Sequence, residues 1–438
     1  MGLFFGTDGL RGIVNKDLSF DIAYKCGNAL SSLKENPTIL VGRDTRITGE
    51  YLTLALASGA TAGGAKVVDL GIIPTSGVAY LTKKLNADYG VVISASHNSK
   101  EYNGIKIFDN NGYKLGDKEE ERVERNFIRN KVNAYLEVGS YTQNYFLTKK
   151  YEEFLINAFR SNLNGLKIVI DASNGAAYKI APKVFKKLGA KVIATSCNNN
   201  GEKINDNCGA VYPENLVKQV KRYKADVGFA FDGDADRLIV VDEKGNIIDG
   251  DVTIYLLAKH LKEKGLLNGD TVVGTSHTNM AIENALKKEN IVFLRTDIGD
   301  KYVLKELILG GYSLGGEQSG HIILKDLHTT GDGILSALAV SNMLVEKGKK
   351  LSGLVDVKLY PQENINVVVE DKLKIINSEI LSQKISVIRE ILSKEGRVMV
   401  RASGTEPKIR IMVESPNREK NIVFARELKS LIEKINET

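Results

Sequence analysis

Tryptophan is missing altogether from this 438-residue chain, and cysteine occurs only three times. Without tryptophan, and without aromatics interleaved among basic residues, the stacking platforms of nucleic-acid proteins have no counterpart here. Cys26, Cys197 and Cys208 are scattered with no Cys-x-x-Cys spacing, so neither a disulfide framework nor a zinc site is expected, and they read as reduced bystanders. A dominant charge is lacking too. The 60 basic and 54 acidic side chains leave +6 with no basic block, which speaks against a nucleic-acid partner and suits a small anion held by a few local Arg and Lys residues. No apolar run is long enough to cross a bilayer; the best candidate, Gly333 to Val345, is interrupted by Ser336, Ser341 and Asn342 and reads as a buried helix. The opening Met1-Gly2-Leu3-Phe4-Phe5-Gly6 has glycine where a myristoylation signal needs Ser or Thr, and no secretory apolar segment follows. The expectation is a cytoplasmic protein with no membrane partner.

What is present is an ordinary globular composition, 43% hydrophobic and 26% charged, on a chain too long for one core. Helix-like and strand-like stretches alternate: Asp21 to Leu33, then Thr38 to Gly42, then Ala55 to Gly63, then Ala65 to Leu70. That alternation predicts βαβ units and mostly parallel sheets. From Asp117 to about Lys150 the pattern turns charged and helical, and a fresh strand at Lys167 to Asp171 suggests a new domain beginning near residue 150. Strands at Lys191 to Thr195 and Ala225 to Phe231 follow; a third unit opens near Asp251 with strands at Thr271 to Thr275 and Ile291 to Arg295. Beyond about residue 362 the alternating strands Asn364 to Val369, Arg397 to Arg401 and Ile409 to Glu414 predict a smaller α+β domain. The divisions are therefore 1–150, 151–250, 251–362 and 363–438.

Behind the strand-like runs stand loops that carry chemistry. Gly90-Val91-Val92-Ile93 empties into Ser94-Ala95-Ser96-His97-Asn98-Ser99, the way a buried strand delivers polar groups to a rim. The three serines offer a nucleophile beside a histidine, and the residues alone leave open which is aligned, or whether the stretch is a serine-rich turn satisfying its own backbone. Lys106, amid apolar neighbours, reads first as a strand lysine with a snorkelling head. Phe5 to Gly12 is a glycine-punctuated loop that includes Arg11 and could cradle a phosphate. Asp232-Gly233-Asp234-Ala235-Asp236-Arg237 places three carboxylates at alternate positions, hard ligands for Mg²⁺, with Arg237 at hand for a phosphate oxygen. An EF-hand shares that spacing, but Arg237 stands where its glycine is required and the flanks read as strands. Gly316-Glu317-Gln318-Ser319-Gly320-His321 suits sugar hydroxyl or amino groups, and the loop Arg401 to Arg410 has the ingredients of a phosphate clamp.

With these loops in this order, the chain resembles the α-D-phosphohexomutase superfamily over essentially its whole length. Phe5 to Gly12, Gly42 to Arg46 and Asn200-Gly201-Glu202-Lys203-Ile204-Asn205 look like the superfamily's glucosamine branch. The resemblance implies an α/β protein of three related mixed-sheet α/β domains plus a smaller C-terminal α+β domain around a central cleft. It implies Ser96 as phosphoryl carrier, one Mg²⁺ per active site on Asp232, Asp234 and Asp236 with phospho-Ser96 completing the shell, and Arg11, His97 and Lys106 beside the serine for acid-base work or phosphate contact. Arg237, Glu317, Ser319 and His321 would read the sugar phosphate, and Arg401, Ser403, Gly404, Thr405 and Arg410 would hold the distal phosphate. The implied reaction interconverts glucosamine 6-phosphate and glucosamine 1-phosphate through a bisphosphorylated sugar, which also serves as activator, and feeds UDP-N-acetylglucosamine and cell-wall precursor synthesis. A homodimer is implied by the same analogy. Gln318 resembles the glucosamine enzymes, where mannose and glucose mutases commonly carry methionine. One residue departs: Ser99 stands where the superfamily usually has proline, removing a fixed φ and restoring an N–H. Mutases for mannose or glucose phosphates, a Mg²⁺-dependent phosphatase with an aspartyl nucleophile, and a non-catalytic sugar-phosphate sensor are the rival readings.

Overall fold

A β-strand buried on both faces reads as a continuous apolar run, and such runs form the centre of each sheet. In the computed structural model, which describes residues 9–128, 137–160, 162–403 and 406–437, Tyr89–Ile93, Val227–Phe231 and Thr271–Thr275 are buried along their whole length. The first sheet runs in the order Leu10–Ile13, Tyr102–Phe108, Tyr89–Ile93, Thr38–Arg43, Lys66–Ile72, Ser140–Gln143. The second is Ile247–Ile248, Leu238–Asp242, Val227–Phe231, Lys167–Asp171, Lys191–Thr195, and the third is Val292–Thr296, Thr271–Thr275, Leu314–Gly316, Ile322–Leu324. All three repeat one plan. Two parallel strands are joined by a third parallel strand on the inner side, and a fourth returns antiparallel against the third.

That plan locates the chemistry. The serine loop, the metal loop and the sugar loop are each the connection between the third strand and its antiparallel return, at the carboxyl end of a parallel strand where open α/β sheets bind ligands. The sheets are mixed, as the resemblance implied, because these return strands run against their neighbours. One expectation is corrected: the charged stretch from Asp117 to Lys150 is not one helical run. The helix Asp117–Ile128 is followed by a strand, Ser140–Gln143, parallel to Lys66–Ile72 at the sheet edge, before the helix Thr148–Asn157. Its only apolar contribution to the core is the half-buried Tyr141 ring, since an edge strand needs backbone partners more than a buried face.

Contacts within the chain divide it into two units, residues Met1–His277 with Glu289–Val355, and Thr278–Lys288 with Asp356–Thr438. The second holds an antiparallel sheet, Gln362–Val368, Lys408–Glu414, Arg397–Ala402, over which the helices Glu379–Leu392 and Arg418–Glu437 bury Leu381, Ile388, Ala425, Leu428 and Ile432. No helix among the described residues is long and apolar enough to cross a membrane.

Candidate active site

Ser96 sits one turn past its strand with φ +52°, a left-handed conformation that costs a non-glycine residue of order 1–3 kcal/mol and persists only where the surroundings enforce it. Here they do. The Ser96 N–H donates to Ser94 Oγ at 2.9 Å, and Ser94 Oγ donates to Asp44 Oδ2 at 2.6 Å. Asp44 in turn pairs with the buried guanidinium of Arg46 through Nε at 3.0 Å. The remaining Arg46 N–H groups reach the carbonyls of Ser96 (3.1 Å), Asn98 (2.7 Å), Tyr102 (2.8 Å) and Ser99. The loop is therefore braced from outside by side-chain donors, and the Ser99 carbonyl takes part in the bracing.

The Ser96 hydroxyl, 1% exposed, donates to Asp232 Oδ2 at 2.6 Å and lies 3.3 Å from His97 Nδ1. Burial, with Arg237 and Arg11 nearby, lowers the His97 pKa to about 4, so this imidazole is neutral near neutrality. Asp232, Asp234 and Asp236 are buried, each with a ligand oxygen within 4.8 Å of the others. Burial, reinforced by the charges of Asp236 and Asp234, pushes the Asp232 carboxyl well above the ordinary carboxylate range. Burial pushes Asp236 up as well, but Lys106 foremost, then His321 and Arg237, holds it well below that range. Asp234 Oδ1 and Asp236 Oδ1 are buried without a hydrogen-bond partner. Two orphaned carboxylate oxygens converging with a third carboxylate fit a hard divalent cation bound by oxygen, which would satisfy all of them at once. The flanking elements are strands, which disposes of an EF-hand.

Lys106 is no snorkelling lysine. It is 3% exposed, opposite Val92 in the hairpin, and its ammonium meets Asp234 at 2.6 Å and Asp236 at 3.2 Å. Thr75, at the start of the helix Thr75–Lys84, adds a hydroxyl to Asp234 Oδ2 at 2.6 Å, so that it is Oδ1 that stays without a hydrogen bond. A cavity of about 160 Å³ gathers Arg11, Ser96, Lys106, Asp236, Arg237, Glu317 and His321, seven of the residues expected from the sequence. Arg11 also donates to Asn98 Oδ1 at 3.2 Å, and the Arg237 N–H donates to Asp232 Oδ1 at 3.2 Å. Glu317 Oε1 accepts from the Gly299 N–H at 3.2 Å, and burial raises its pKa. His321 lies 3.8 Å from Asp236 and 3.4 Å from Asp300; burial opposes its protonation, yet those carboxylates raise its pKa.

Four lining residues escaped the sequence reading: Ile298, Gly299 and the two charged groups Lys114 and Asp300, which pair at 2.5 Å. Lys114 follows a turn and Asp300 begins a helix, so each looks like ordinary surface charge along the chain. Ser319 is exposed on the sugar loop and does not line the cavity. The Gln318 side chain turns away from it, donating from Nε2 to Asp249 Oδ2 at 3.2 Å, while its backbone carbonyl accepts from the Gly250 N–H. A larger cavity of about 760 Å³, bordered by Tyr51, Tyr145 and Phe146, contains none of the residues expected to carry chemistry. Size and chemistry point to different places, and the carboxylates and serine decide for the smaller.

In the C-terminal unit, Arg401 and Arg410 face each other across neighbouring strands. Burial and the Arg410 charge both lower the Arg401 pKa. Like charges directly opposite are unfavourable in a sheet, and a bound phosphate would relieve them. Arg410 Nη2 lies 3.4 Å from Ser403 Oγ and 3.3 Å from Glu406 Oε2. Gly404 and Thr405 lie outside the described residues, as do Phe5 to Asp8 of the opening loop.

Known proteins match this arrangement throughout. Models of the phosphoglucomutase/phosphomannomutase α/β/α domains I, II and III match residues 2–134, 146–245 and 249–360, and that of the C-terminal domain matches 365–428. The chain is 48% identical over 448 residues to a phosphoglucosamine mutase of Thermoanaerobacter sp. and 46% identical over 446 residues to one of Clostridium acetobutylicum, covering 99% of both chains each time. Among solved structures, a phosphoglucomutase/phosphomannomutase family protein of Burkholderia thailandensis superposes with a TM-score of 0.85 at 24% identity, covering 98% of this chain and 97% of that one. An Aspergillus fumigatus N-acetylphosphoglucosamine mutase, in complex with GlcNAc-6P and magnesium, gives 0.69 at 18% identity, with 100% and 96% covered. At those identities the structural likeness speaks for the fold alone.

Proposed function

Because the chain belongs to the phosphoglucomutase/phosphomannomutase family, we propose that it interconverts glucosamine 6-phosphate and glucosamine 1-phosphate by way of a phosphorylated Ser96. The observation that carries the reading is the strained, buried Ser96 with its Oγ 2.6 Å from Asp232 in a carboxylate triplet that lacks a cation's worth of partners. Asp232, Asp234 and Asp236 would hold one Mg²⁺, which supplies charge neutralisation to the transferring phosphoryl group. In the forward half, the Ser96 Oγ–P bond breaks as a sugar oxygen bonds to phosphorus, and the sugar hydroxyl gives up its proton to a base. In the return half, Ser96 Oγ bonds to the other phosphorus as that sugar O–P bond breaks, and the hydroxyl proton of Ser96 passes by way of the base to the freed sugar oxygen.

Arg11, His97 and Lys106 ring the serine, and we assign them to phosphate contact and proton handling there. His97, neutral at rest near pH 7, offers a ring nitrogen that can take up a proton and carries a positive charge only while it holds it. Glu317 and His321, with Arg237, would orient the sugar phosphate; Ser319, being exposed, could join only once substrate is bound. Arg401, Ser403 and Arg410, with Gly404 and Thr405 between them in the chain, are assigned to phosphate binding in their own unit. The division at residues 150, 250 and 362, and the homodimer, belong to the same proposal.

The test is conversion of glucosamine 6-phosphate with Mg²⁺ and a hexose bisphosphate, comparing the native chain with Ser96→Ala. Turnover in the first and its loss in the second is expected. Undiminished phosphate chemistry in Ser96→Ala would favour an aspartyl phosphatase, and preference for mannose or glucose phosphates would overturn the choice of sugar.

A further inference from the structure

The polar stretch Asn200 to Asn205 is fastened to the serine loop through Asn205 and to the neighbouring chain through Gly201 and Glu202. Gly201 lies flat on the turn at Thr45 to Ile47: a Cβ there would stand 2.1 Å from the Thr45 carbonyl oxygen and 2.9 Å from the Ile47 nitrogen, both backbone atoms. Glu202 pairs with Lys100 at 2.5 Å, an exposed contact that adds little. Asn205, 5% exposed, donates from Nδ2 to the Ser96 carbonyl at 2.8 Å and the Asn98 carbonyl at 2.9 Å. Those are the two carbonyls that Arg46 Nη2 also reaches. Each is gripped from both sides, by a guanidinium from the first sheet's region and an amide from the second's.

We propose that Asn200 to Asn205 is a strap that positions the nucleophile, with Asn205 as its positioning residue and Gly201 as the point where it seats. The inference rests on Ser96 being the phosphoryl carrier. Asn205 acts through the backbone of Ser96 and Asn98: with both carbonyls held, the left-handed turn at Ser96 cannot relax, and Oγ stays facing Asp232. The strap would hold the loop without a proline at position 99, because conformation is imposed by donors from outside instead of by a ring within the chain.

The experiment uses the full-length protein with Mg²⁺, hexose bisphosphate and glucosamine 6-phosphate, well below each variant's melting temperature. Asn205→Ala and Gly201→Ala should each lower kcat about 10- to 100-fold, the range expected for a nucleophile displaced by about 1 Å, with KM within about twofold. The rate of Ser96 phosphorylation by bisphosphate should fall in parallel. Adding Ser99→Pro to Asn205→Ala should restore much of kcat, a rescue that a general loss of packing would not show. Wild-type kcat in both single variants, or a loss confined to KM, overturns the strap. If the native chain itself turns over no glucosamine phosphate, the proposed function fails instead, and amide exchange over residues 96–102 then decides: faster exchange in Asn205→Ala supports the strap, and unchanged exchange removes it.

Discussion

Replacing Arg46 by lysine keeps the charge and removes the fork. In the native chain all five guanidinium N–H groups are engaged: Nε on Asp44, Nη1 on the carbonyls of Ser99 and Tyr102, and Nη2 on those of Ser96 and Asn98. An ammonium has three donors on one nitrogen, so one that remains on Asp44 reaches at most two of the four carbonyls. The Ser96 and Asn98 carbonyls keep Asn205, and the Ser99 carbonyl keeps the Tyr102 N–H at 3.2 Å. The loss falls fully on Tyr102 and partly on Ser99. A buried acceptor left unmade costs about 1–3 kcal/mol, so the loop should be weakened by about 1–4 kcal/mol. That is less than the roughly 5–15 kcal/mol that holds a typical domain together, and Arg46→Lys should fold. Amide exchange read residue by residue suits a chain of several units better than one melting curve. Protection over residues 96–102 should drop roughly 5- to 1,000-fold, the same free energy at about 1.4 kcal/mol per decade. Under the same conditions kcat should fall about tenfold or more with KM nearly constant. Native protection of the loop with native kcat would refute the claim that the fork enforces the Ser96 conformation.

Three other perturbations test separate links. His328 donates through Nε2 to the Ser76 carbonyl (3.0 Å) while Nδ1 accepts from the N–H groups of Thr329 (2.8 Å) and Thr330 (3.3 Å), an arrangement only the neutral ring can make. Burial lowers its pKa, so below the ordinary value of 6.5 the unfolded chain binds a proton that the folded chain refuses, and stability should fall with falling pH by up to about 1.4 kcal/mol per unit. The slope of unfolding free energy against pH below about 6.5 should flatten in His328→Gln relative to the native chain; an unchanged slope contradicts the assignment. Mg²⁺ at about 100 times its dissociation constant should stabilise the native chain by about 2.7 kcal/mol, and Asp234→Asn should abolish that rise in melting temperature together with turnover. Gly320 has φ +91°, and a Cβ there would stand 2.1 Å from the Leu238 carbonyl oxygen, so Gly320→Ala should shift the sugar loop and raise KM for the sugar phosphate about tenfold, measured by initial rates.

The chemistry-bearing loops were legible because each follows an apolar run with a dense set of polar side chains, and a buried strand can end in such groups only at a rim. Asp232, Asp234 and Asp236 converge as their alternate spacing suggested, and Ser96 meets them as the resemblance, not the spacing, implied. Lys106 was misread from its neighbours, since apolar residues on either side say only that the strand is buried and not that carboxylates from another sheet wait above it. Lys114 and Asp300 left no local trace. Their ion pair joins positions 186 residues apart (300 − 114), and periodicity carries no information at that range. Ser140–Gln143 left no periodic signal because its four residues send only one side chain, Tyr141, toward the core, too few to show an alternation.

By itself the amino-acid sequence determined the α/β class, the order of the loops and the kind of chemistry they hold, because these depend on local patterning and on residue type. Only the tertiary structure decided that the three functional loops are equivalent hairpin connections, that Gln318 points away from the cavity, and that Arg46 and Asn205 grip the same two carbonyls of the serine loop. The reason is physical. A backbone carbonyl is identical at every position of a sequence, so a site built by holding carbonyls becomes visible only when folding brings the donors to them.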